Sequence, residues 1–398
     1  MIKIVTGMRR CGKSYLLFKL FYDHLLEEGV TDAHIIQVDL ENILNEPLRE
    51  PLTLLEHIHQ RITDINQYYV LIDEVQLLNR FEEVLNTLLK NTQVDVYVTG
   101  SNARFLSKDI ITTFRGRGDE VRIHPLSFSE FMSAKSDAVF IETYLYEYMH
   151  WGGLPQIVTM GEDERKTEYL RGLFANTYLI DIKERYDIRN DSDLEELIDV
   201  VASSIGGLTN PLKIQNTFKS LKHSNITINT IKNYLDYMQD AFLIERAVRY
   251  DIKGRKYIST PQKYYFDDLG LRNARLNFRQ TEQTHLMENL IYNELRIRGY
   301  SVDVGQVTVN TRNAQGGSER KYLEVDFVCS KGFNRIYIQS ALTLDNTGKQ
   351  EQELASLRHI NDNFQKVVIV GGMQPTYRND DGILILNVFD FLLDKVSI

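Results

Sequence analysis

The most suggestive residues of the chain form an eight-residue loop near its N-terminus. This loop, Gly7-Met8-Arg9-Arg10-Cys11-Gly12-Lys13-Ser14, fits the pattern G-x-x-x-x-G-K-[ST]. Glycines let the backbone turn tightly and aim N–H groups at phosphate oxygens, and a following helix adds partial positive charge. We expect Lys13 to reach the β- and γ-phosphates of a nucleotide and Ser14 to ligate Mg²⁺. The predicted nucleotide contacts are Gly7, Met8, Arg9, Arg10, Cys11, Gly12, Lys13, Ser14 and Tyr15.

A second motif lies further along the chain, where the apolar run from Tyr68 to Ile72 ends in Asp73 and Glu74. This is a Walker-B pattern. Asp73 is predicted to hold Mg²⁺ through water, and Glu74 to orient and polarise the water that attacks the γ-phosphate. An Asp-Glu pair at a strand end is also typical of a solvated turn, and the upstream loop favours the catalytic interpretation.

Two further groups could complete such a site. Ser101 and Asn102 follow the apolar run Val94 to Thr99, which puts small polar side chains at the carboxyl edge of a parallel sheet, where a γ-phosphate would lie. Ser101 is the first choice as a catalytic sensor. Arg115 and Arg117 lie in a Gly-rich segment, and Arg117 is predicted to contact a phosphate in its own or a neighbouring subunit. A polar turn and a solvated basic turn are the respective alternatives.

Composition limits the class of protein. The chain has 398 residues, is 43% hydrophobic and 25% charged, and contains two cysteines, Cys11 and Cys329, which match neither a disulfide framework nor a zinc spacing. It has neither an apolar run of roughly 20 residues nor a signal peptide, so we expect a cytoplasmic protein without membrane contact. Its net charge of −9 argues against attraction of the whole protein to nucleic acid.

The elements that position the motifs follow from periodicity. Residues 1–124 alternate β-rich runs with amphipathic stretches, which predicts an α/β domain with a parallel sheet. The expected strands are Ile2 to Thr6, His34 to Val38, Tyr68 to Ile72, Val94 to Thr99 and Glu120 to Ile123, with a helix over Lys13 to Leu26.

Three further regions are predicted. Residues 125–189 have helical spacing, interrupted by a turn at Trp151-Gly152-Gly153-Leu154-Pro155, and suggest a helical lid. Residues 190–266 contain helices and then a β-hairpin that turns at Lys253-Gly254-Arg255, the order of a winged helix. Residues 267–398 predict an α/β domain with helices and strands.

Several motifs in a fixed order carry a family resemblance. The loop GMRRCGKS, then LIDEVQ, TGSNARFLS, FRGRG and HPLSFSEF, resembles the bacterial and archaeal AAA-superfamily ATPases of the additional-strand type over roughly residues 1 to 250. The resemblance implies a P-loop NTPase sheet with the Walker-B strand between the P-loop strand and its outer neighbours, followed by a helical lid and a winged helix. It implies ATP, since the chain lacks the Asn/Thr-Lys-x-Asp motif that reads guanine. Similar proteins carry a helical segment before the P-loop strand, and only Met1 to Thr6 precede the loop here.

The winged-helix region contains a candidate DNA reader. Ile226 to Thr230, followed by Ile231 to Met238, looks like the turn and second helix of a helix-turn-helix. That helix would bring Asn229, Thr230, Lys232 and Asn233 near base edges. The alternative is that it packs on protein, because Lys232 is the only basic residue within the helix.

The C-terminal segment is similar to the domain of unknown function that follows these ATPases, which itself resembles the PD-(D/E)XK endonuclease core. By that resemblance, Glu288, Asp326 and Gln339 mark the place of a metal site. Ala341 stands where an active nuclease has its lysine. The favoured interpretation is a vestigial, inactive core kept for binding or as a scaffold.

These observations predict a Mg²⁺-dependent ATPase that couples ATP binding and hydrolysis to a change in the lid, winged helix or C-terminal domain. An alternative is an ATP-gated switch that binds DNA or protein with little turnover. A third is an ATP-regulated nuclease. The expected partners are ATP, DNA at the winged helix, and a protein partner or further copies of the chain.

Overall fold

The computed structural model describes residues 1–100, 118–135, 141–188, 191–222, 225–312 and 318–396. It divides into two compact units. Residues 1–125 with 240–242 form the first, and residues 126–239 with 243–398 form the second. Within the described ranges, no helix is both long and apolar enough to cross a membrane.

The first unit is built on a five-stranded sheet whose strands all pair in parallel, in the order β2-β3-β4-β1-β5. The strands are β1 (Ile2–Thr6), β2 (Ile35–Asp39), β3 (Tyr68–Asp73), β4 (Val94–Thr99) and β5 (Gly118–Arg122). The α/β parallel sheet is therefore confirmed, and each predicted strand is present within a few residues. The order corrects one expectation, because β4 lies between the P-loop strand β1 and the Walker-B strand β3.

Apolar residues on both faces explain why the strands lack a strict alternation. Val70 and Ile72 of β3 belong to one core with Leu54 and Val84, which come from helices on that face. Leu71 points to the opposite face and joins a second core. Sheets covered on both sides require near-continuous apolar strands. Among the described residues of this unit, the helices are Lys13–Tyr15, a π-helical segment Leu16–Phe21, Tyr22–Glu27, Pro51–Arg61 and Phe81–Leu88, with short 3-10 helices at Asp32–His34, Ile43–Arg49 and Val75–Leu77.

The second unit begins with helices, as the spacing in residues 125–189 predicts. The helix Ile141–Trp151 ends at the predicted turn, where Gly152 has φ 78°. A Cβ on Gly152 would lie 2.4 Å from the carboxylate oxygens of Asp268, so only glycine fits there. The helices of this unit are Phe128–Ser133, Ile141–Trp151, Pro155–Thr159, Asp163–Leu173, a π-helical segment Phe174–Leu179, Ile180–Arg185, Asp191–Ser203, Pro211–Lys222, Ile228–Asp240, Leu269–Arg275, Gln283–Ile297, Thr347–Arg358 and Val388–Leu392.

An eight-stranded mixed sheet occupies the rest of this unit, in the order β12-β13-β11-β10-β9-β8-β6-β7. Its strands are β6 (Ile244–Asp251), β7 (Lys256–Phe266), β8 (Ser301–Arg312), β9 (Ser318–Lys331), β10 (Asn334–Ala341), β11 (Gln365–Val370), β12 (Tyr377–Arg378) and β13 (Leu384–Asn387). The predicted hairpin is β6 and β7. It continues the C-terminal sheet, because β6 pairs in parallel with β8. Sequence analysis did not predict that pairing.

Candidate functional site

The Gly-rich loop leaves the carboxyl end of β1 in a conformation that needs its glycines. Gly7 has φ 142° and Gly12 has φ 103°. A Cβ on Gly7 would lie 2.1 Å from the backbone oxygen of Ile123, which follows the neighbouring strand β5. The loop therefore turns back against the sheet edge at a place where an L side chain would clash.

Lys13 lies buried at the start of the helix that follows the loop, with 5% of its surface exposed. Its Nζ donates hydrogen bonds to the backbone oxygens of Gly7, at 3.0 Å, and Met8, at 2.9 Å. A buried ammonium costs much free energy unless it is hydrogen-bonded, and these carbonyls supply that compensation. The positive charge is thereby held inside the curve of the loop.

Ser14 and Asp73 bring the two sequence motifs together. Asp73 ends β3 and is 4% exposed, and the nearby Ser14 hydroxyl lowers the pKa of its carboxylate. Thr99, at the end of β4, donates its hydroxyl to Asp73 Oδ1. The β3–β4 register, with Ile72 opposite Val98, places Thr99 beside Asp73. A hydroxyl from the helix and one from the adjacent strand thus meet at one carboxylate.

Burial raises the pKa of Asp73, and the negative charges of Glu74 and Asp39 raise it further. The hydrogen bonds from Thr99 and Ser14 act in the opposite direction, because they stabilise the ionised form. The net pKa is higher than that of an ordinary aspartate. A carboxylate in this state gains free energy from any cation that comes close to it.

Glu74 adopts a left-handed backbone conformation, φ 52°, directly after β3. Its N–H donates to Thr99 Oγ1 at 2.9 Å, which compensates in part for a conformation that a non-glycine residue rarely adopts. Gln76 Nε2 donates to Glu74 Oε2. These contacts fix both the backbone and the carboxylate of Glu74 at the carboxyl edge of the sheet.

The remaining predicted residues of this site have different outcomes. Met8 and Cys11 are buried in the loop, and Cys11 Sγ lies 3.6 Å from the backbone oxygen of Ile123. Arg9 is half-buried, whereas Arg10 and Tyr15 are exposed. Ser101, Asn102, Arg115 and Arg117 lie outside the described residues, so their roles stay predictions.

Sequence analysis missed two residues of this site, Thr99 and Gln76. Thr99 is fully buried and contacts both Asp73 and the backbone of Glu74. One signal was available for it, namely a hydroxyl residue ending an otherwise apolar strand. No sequence pattern shows that Gln76 donates to Glu74, because that contact depends on the left-handed turn between them.

The residues at this edge suit a hard cation. Ser14 offers a hydroxyl oxygen and Asp73 a carboxylate oxygen, the ligand types that Mg²⁺ prefers, and such sites take further ligands from phosphate and water. Among the residues that the structure describes, no group of three or more His, Cys, Asp or Glu side chains is arranged to hold a metal ion. The hydroxyl of Ser14 and the carboxylate of Asp73 fit a metal that takes its other ligands from phosphate and water.

The residues predicted to mark a vestigial nuclease site also come together, around a lysine that sequence analysis did not consider. Lys263 of β7 is 2% exposed, and its Nζ lies 2.9 Å from Glu288 Oε1, 2.7 Å from Glu324 Oε1 and 3.8 Å from Asp326 Oδ1. The Gln339 side chain accepts a hydrogen bond from the N–H of Asp326 at 3.3 Å. An ammonium therefore lies among the carboxylates.

The charges in this cluster depend on one another. Burial lowers the pKa of Lys263, but the charges of Glu288, Asp326 and Glu324 outweigh that effect and raise it overall. Burial and the charge of Glu288 raise the pKa of Asp326, and Lys263 opposes the rise. Lys263 was missed because it lies far from Glu288 in sequence. The sequence does contain one signal for it, because a lysine within the apolar, aromatic run that ends β7 indicates a buried charge that needs a partner.

Comparison with known proteins gives two matches to family models. Residues 1–132 match the family model described as an AAA domain. Residues 142–282 match a domain of unknown function. The sequence predicted a resemblance to a domain of unknown function over residues 267–398. The matched range instead begins at residue 142 and ends at residue 282.

A relative from Haemophilus influenzae, described as an uncharacterized protein, is 33% identical over 397 residues, 98% of this chain and 94% of its own length. The chain belongs to this relative's family. The AAA-domain match covers residues 1–132, the N-terminal third of this chain.

Two other similarities extend the comparison. An uncharacterized protein of Methanocaldococcus jannaschii is 29% identical over 375 residues, 91% of this chain and 79% of that protein. Among solved structures, the Aeropyrum pernix Orc1 protein in complex with DNA is 14% identical, with 69% of this chain and 86% of that one covered at a TM-score of 0.26. The assignment to the family rests on the Haemophilus relative.

Proposed function

We propose that the chain is a Mg²⁺-dependent ATPase whose reaction takes place at the carboxyl edge of the five-stranded sheet. The observation that supports this most strongly is geometric: the Gly-rich loop with its buried Lys13 and the strand end Asp73–Glu74 held by Thr99 lie at the carboxyl edge of the same parallel sheet. Two motifs that lie far apart in sequence thus occupy one edge of the sheet, with the buried Lys13 and the hydrogen-bonded Glu74 among their residues. In-line phosphoryl transfer needs this combination.

The proposed roles follow from the contacts. Lys13 exchanges its bonds to the Gly7 and Met8 carbonyls for β- and γ-phosphate oxygens, while loop N–H groups hold the phosphates. Ser14 and Asp73 would hold Mg²⁺, which when bound neutralises phosphate charge. Glu74, fixed by Thr99 and Gln76, orients the attacking water and accepts its proton. Ser101 and Arg117 stay proposed as a sensor and a phosphate contact.

The proposal includes ATP as the nucleotide and a mechanical use for its hydrolysis. The family resemblance, and the lack of a guanine-reading motif, favour adenine. The exchange of the Lys13 hydrogen bonds gives the loop one arrangement with nucleotide and another without it, which is a starting point for conformational change. We propose that this change reaches the second unit, namely the lid at 125–189, the winged helix at 190–266 and the nuclease-like domain at 267–398.

In the nuclease-like domain we propose a scaffold without cleavage activity. Lys263 Nζ already lies between Glu288 and Glu324, and close to Asp326. A divalent cation held by Glu288 and Asp326 would come close to this ammonium, and like charges at such distances repel. The Lys263 ammonium therefore takes the position beside these carboxylates that a divalent cation would need.

The test of the proposed function is Glu74→Gln in the full chain. We expect the parent to release labelled phosphate from γ-labelled ATP in a single turnover with Mg²⁺. The variant should bind ATP with a similar Kd but hydrolyse it about 10²- to 10⁴-fold more slowly, since it loses the group that accepts the proton.

The matched control is Glu46→Gln, which alters an exposed glutamate of the same unit and should keep the parent rate. GTP in place of ATP, and EDTA in place of Mg²⁺, should both lower turnover. Equal hydrolysis by the parent and Glu74→Gln would remove Glu74 from the mechanism. If neither the parent nor Glu74→Gln binds ATP, the proposed function is wrong.

A further inference from the structure

A cavity in the second unit is lined by residues that do not belong to the carboxylate cluster described above. Its volume is about 760 Å³, which is within the range of small-molecule sites. Three segments line it: the β6–β7 turn, the β9–β10 turn, and residues 360–364 before β11. The first two are tight turns between antiparallel strands, so their side chains start from fixed positions.

The walls of this cavity carry cations. Lys253 and Arg255 come from the β6–β7 turn, and Arg335 from the start of β10. Asp362 also lines the cavity, but its carboxylate accepts a hydrogen bond from Tyr337 at 2.6 Å. Lys253 Nζ donates to the backbone oxygen of Thr308 at 3.0 Å, which fixes the position of that charge. The cavity thus presents positive charge on a protein whose net charge is −9.

Flat aromatic faces accompany the cations. The Arg335 guanidinium lies 5.3 Å from the ring centroid of Tyr250 and 5.6 Å from that of Phe364, so cation–π contacts hold all three in place. Phe333 projects from the β9–β10 turn with its side chain fully exposed, at 104% of the reference area. A single exposed apolar residue is ordinary, but this one lies in the rim of a cationic cavity.

Cations beside exposed aromatic faces match the chemistry of unpaired nucleotides. Phosphates attract lysine and arginine, and bases stack on aromatic rings when no partner strand covers them. A duplex would keep its bases stacked inside the helix and leave Phe333 without a partner. We propose that this cavity binds single-stranded nucleic acid, with a base on Phe333 and the adjoining phosphates at Lys253 and Arg255.

The test is the affinity of the full chain for a fluorescein-labelled single strand of DNA, measured by anisotropy without ATP. The double variant Phe333→Ala/Arg255→Glu should weaken binding about 10- to 100-fold, because base stacking alone accounts for roughly that factor. Both residues are exposed turn residues, so the variant should keep the parent's circular dichroism and melting temperature.

The matched control is Tyr377→Ala/Arg378→Glu, an exposed aromatic–cation pair on β12 at the opposite edge of the same sheet. It should leave Kd within about twofold of the parent. A duplex of the same sequence should bind at least 10-fold more weakly, and a mononucleotide should compete only at much higher concentration. Because ATP is absent, the outcome is independent of the proposed ATPase activity.

Several results would overturn the proposal. One is that the parent does not bind the single strand. Another is that the two double variants lose the same amount of affinity. The proposal is also wrong if duplex and single strand bind with equal affinity, or if a mononucleotide competes as well as the single strand does. Loss of binding in Lys232→Glu, with none in Phe333→Ala/Arg255→Glu, would place the contact on the helix Ile228–Asp240 instead.

Discussion

Replacing Lys13 with alanine should reduce ATP hydrolysis by about 10²- to 10³-fold, the effect of removing one preorganised electrostatic group from an active site. The reason lies in the position of the ammonium, buried and 3.0 Å from Gly7 O and 2.9 Å from Met8 O. In the proposed mechanism this charge moves onto the β- and γ-phosphates. Alanine removes it and leaves the loop carbonyls without their donor. The measurement is steady-state phosphate release together with ATP affinity by calorimetry.

The matched control for this prediction is Lys19→Ala. Lys19 lies on the next part of the same helix, is exposed, and pairs with Asp23 at 2.9 Å. Exposed pairs of this kind contribute little to stability, so the variant should keep the parent rate and affinity. Circular dichroism of both variants separates lost chemistry from lost folding. Parent-like turnover in Lys13→Ala would show that the loop is not the nucleotide site.

The second large effect concerns stability rather than activity. Lys263→Met should lower the free energy of unfolding of the second unit by about 3–5 kcal/mol, the usual effect of removing one partner from a buried ion pair. Methionine has a similar length, so the loss is mainly that of the charge between Glu288, Glu324 and Asp326. Hydrogen exchange of the eight-stranded sheet, or calorimetric unfolding, measures it. Lys256→Met, an exposed change on the same strand, should have little effect.

The pH dependence of this variant has a definite sign. The pKa of Asp326 is higher in the folded protein than in the unfolded chain, and loss of Lys263 should raise it further. A carboxyl group whose pKa is higher in the folded protein than in the unfolded chain stabilises the fold at a pH below the pKa of the unfolded chain. That contribution is lost as the pH rises through the pKa of the folded protein. The stability deficit of Lys263→Met relative to the parent should therefore grow as the pH rises above about 8, where Asp326 of the parent ionises, and should be larger near pH 9 than near pH 5. Adding Glu288→Gln should restore part of the stability, and a deficit equal at both pH values would contradict this explanation.

The fold of the first unit was predictable because its signals are local. An apolar run bounded by turn residues predicts a strand from its own composition, and Ile2–Thr6 and Val94–Thr99 have the predicted bounds. The order of the strands in the sheet does not follow from local signals. It depends on which apolar surfaces pair across the sheet, and the insertion of β4 between β1 and β3 leaves no trace in the sequence of any one strand. The same holds for the pairing of β6 with β8.

The candidate site likewise contains residues that local sequence signals predict and residues that they do not. The places of Lys13, Ser14, Asp73 and Glu74 at a helix start and a strand end were predictable because the two motifs fix their spacing to those elements. Thr99 was not, since its contacts come from β4 lying beside β3. Lys263 was missed for a similar reason, because β7 reaches the carboxylates only through the fold of the whole sheet. Contacts between elements require the three-dimensional structure.

The most direct test of the proposed ATPase site is a crystal structure of Glu74→Gln with Mg²⁺ and ATP. The proposal predicts that ATP lies over the Gly7–Ser14 loop, that Lys13 Nζ has left the carbonyls of Gly7 and Met8 for phosphate oxygens, and that the metal lies beside Ser14 and Asp73. A nucleotide bound elsewhere, or a Lys13 that keeps its two carbonyl hydrogen bonds with ATP present, would contradict the proposal.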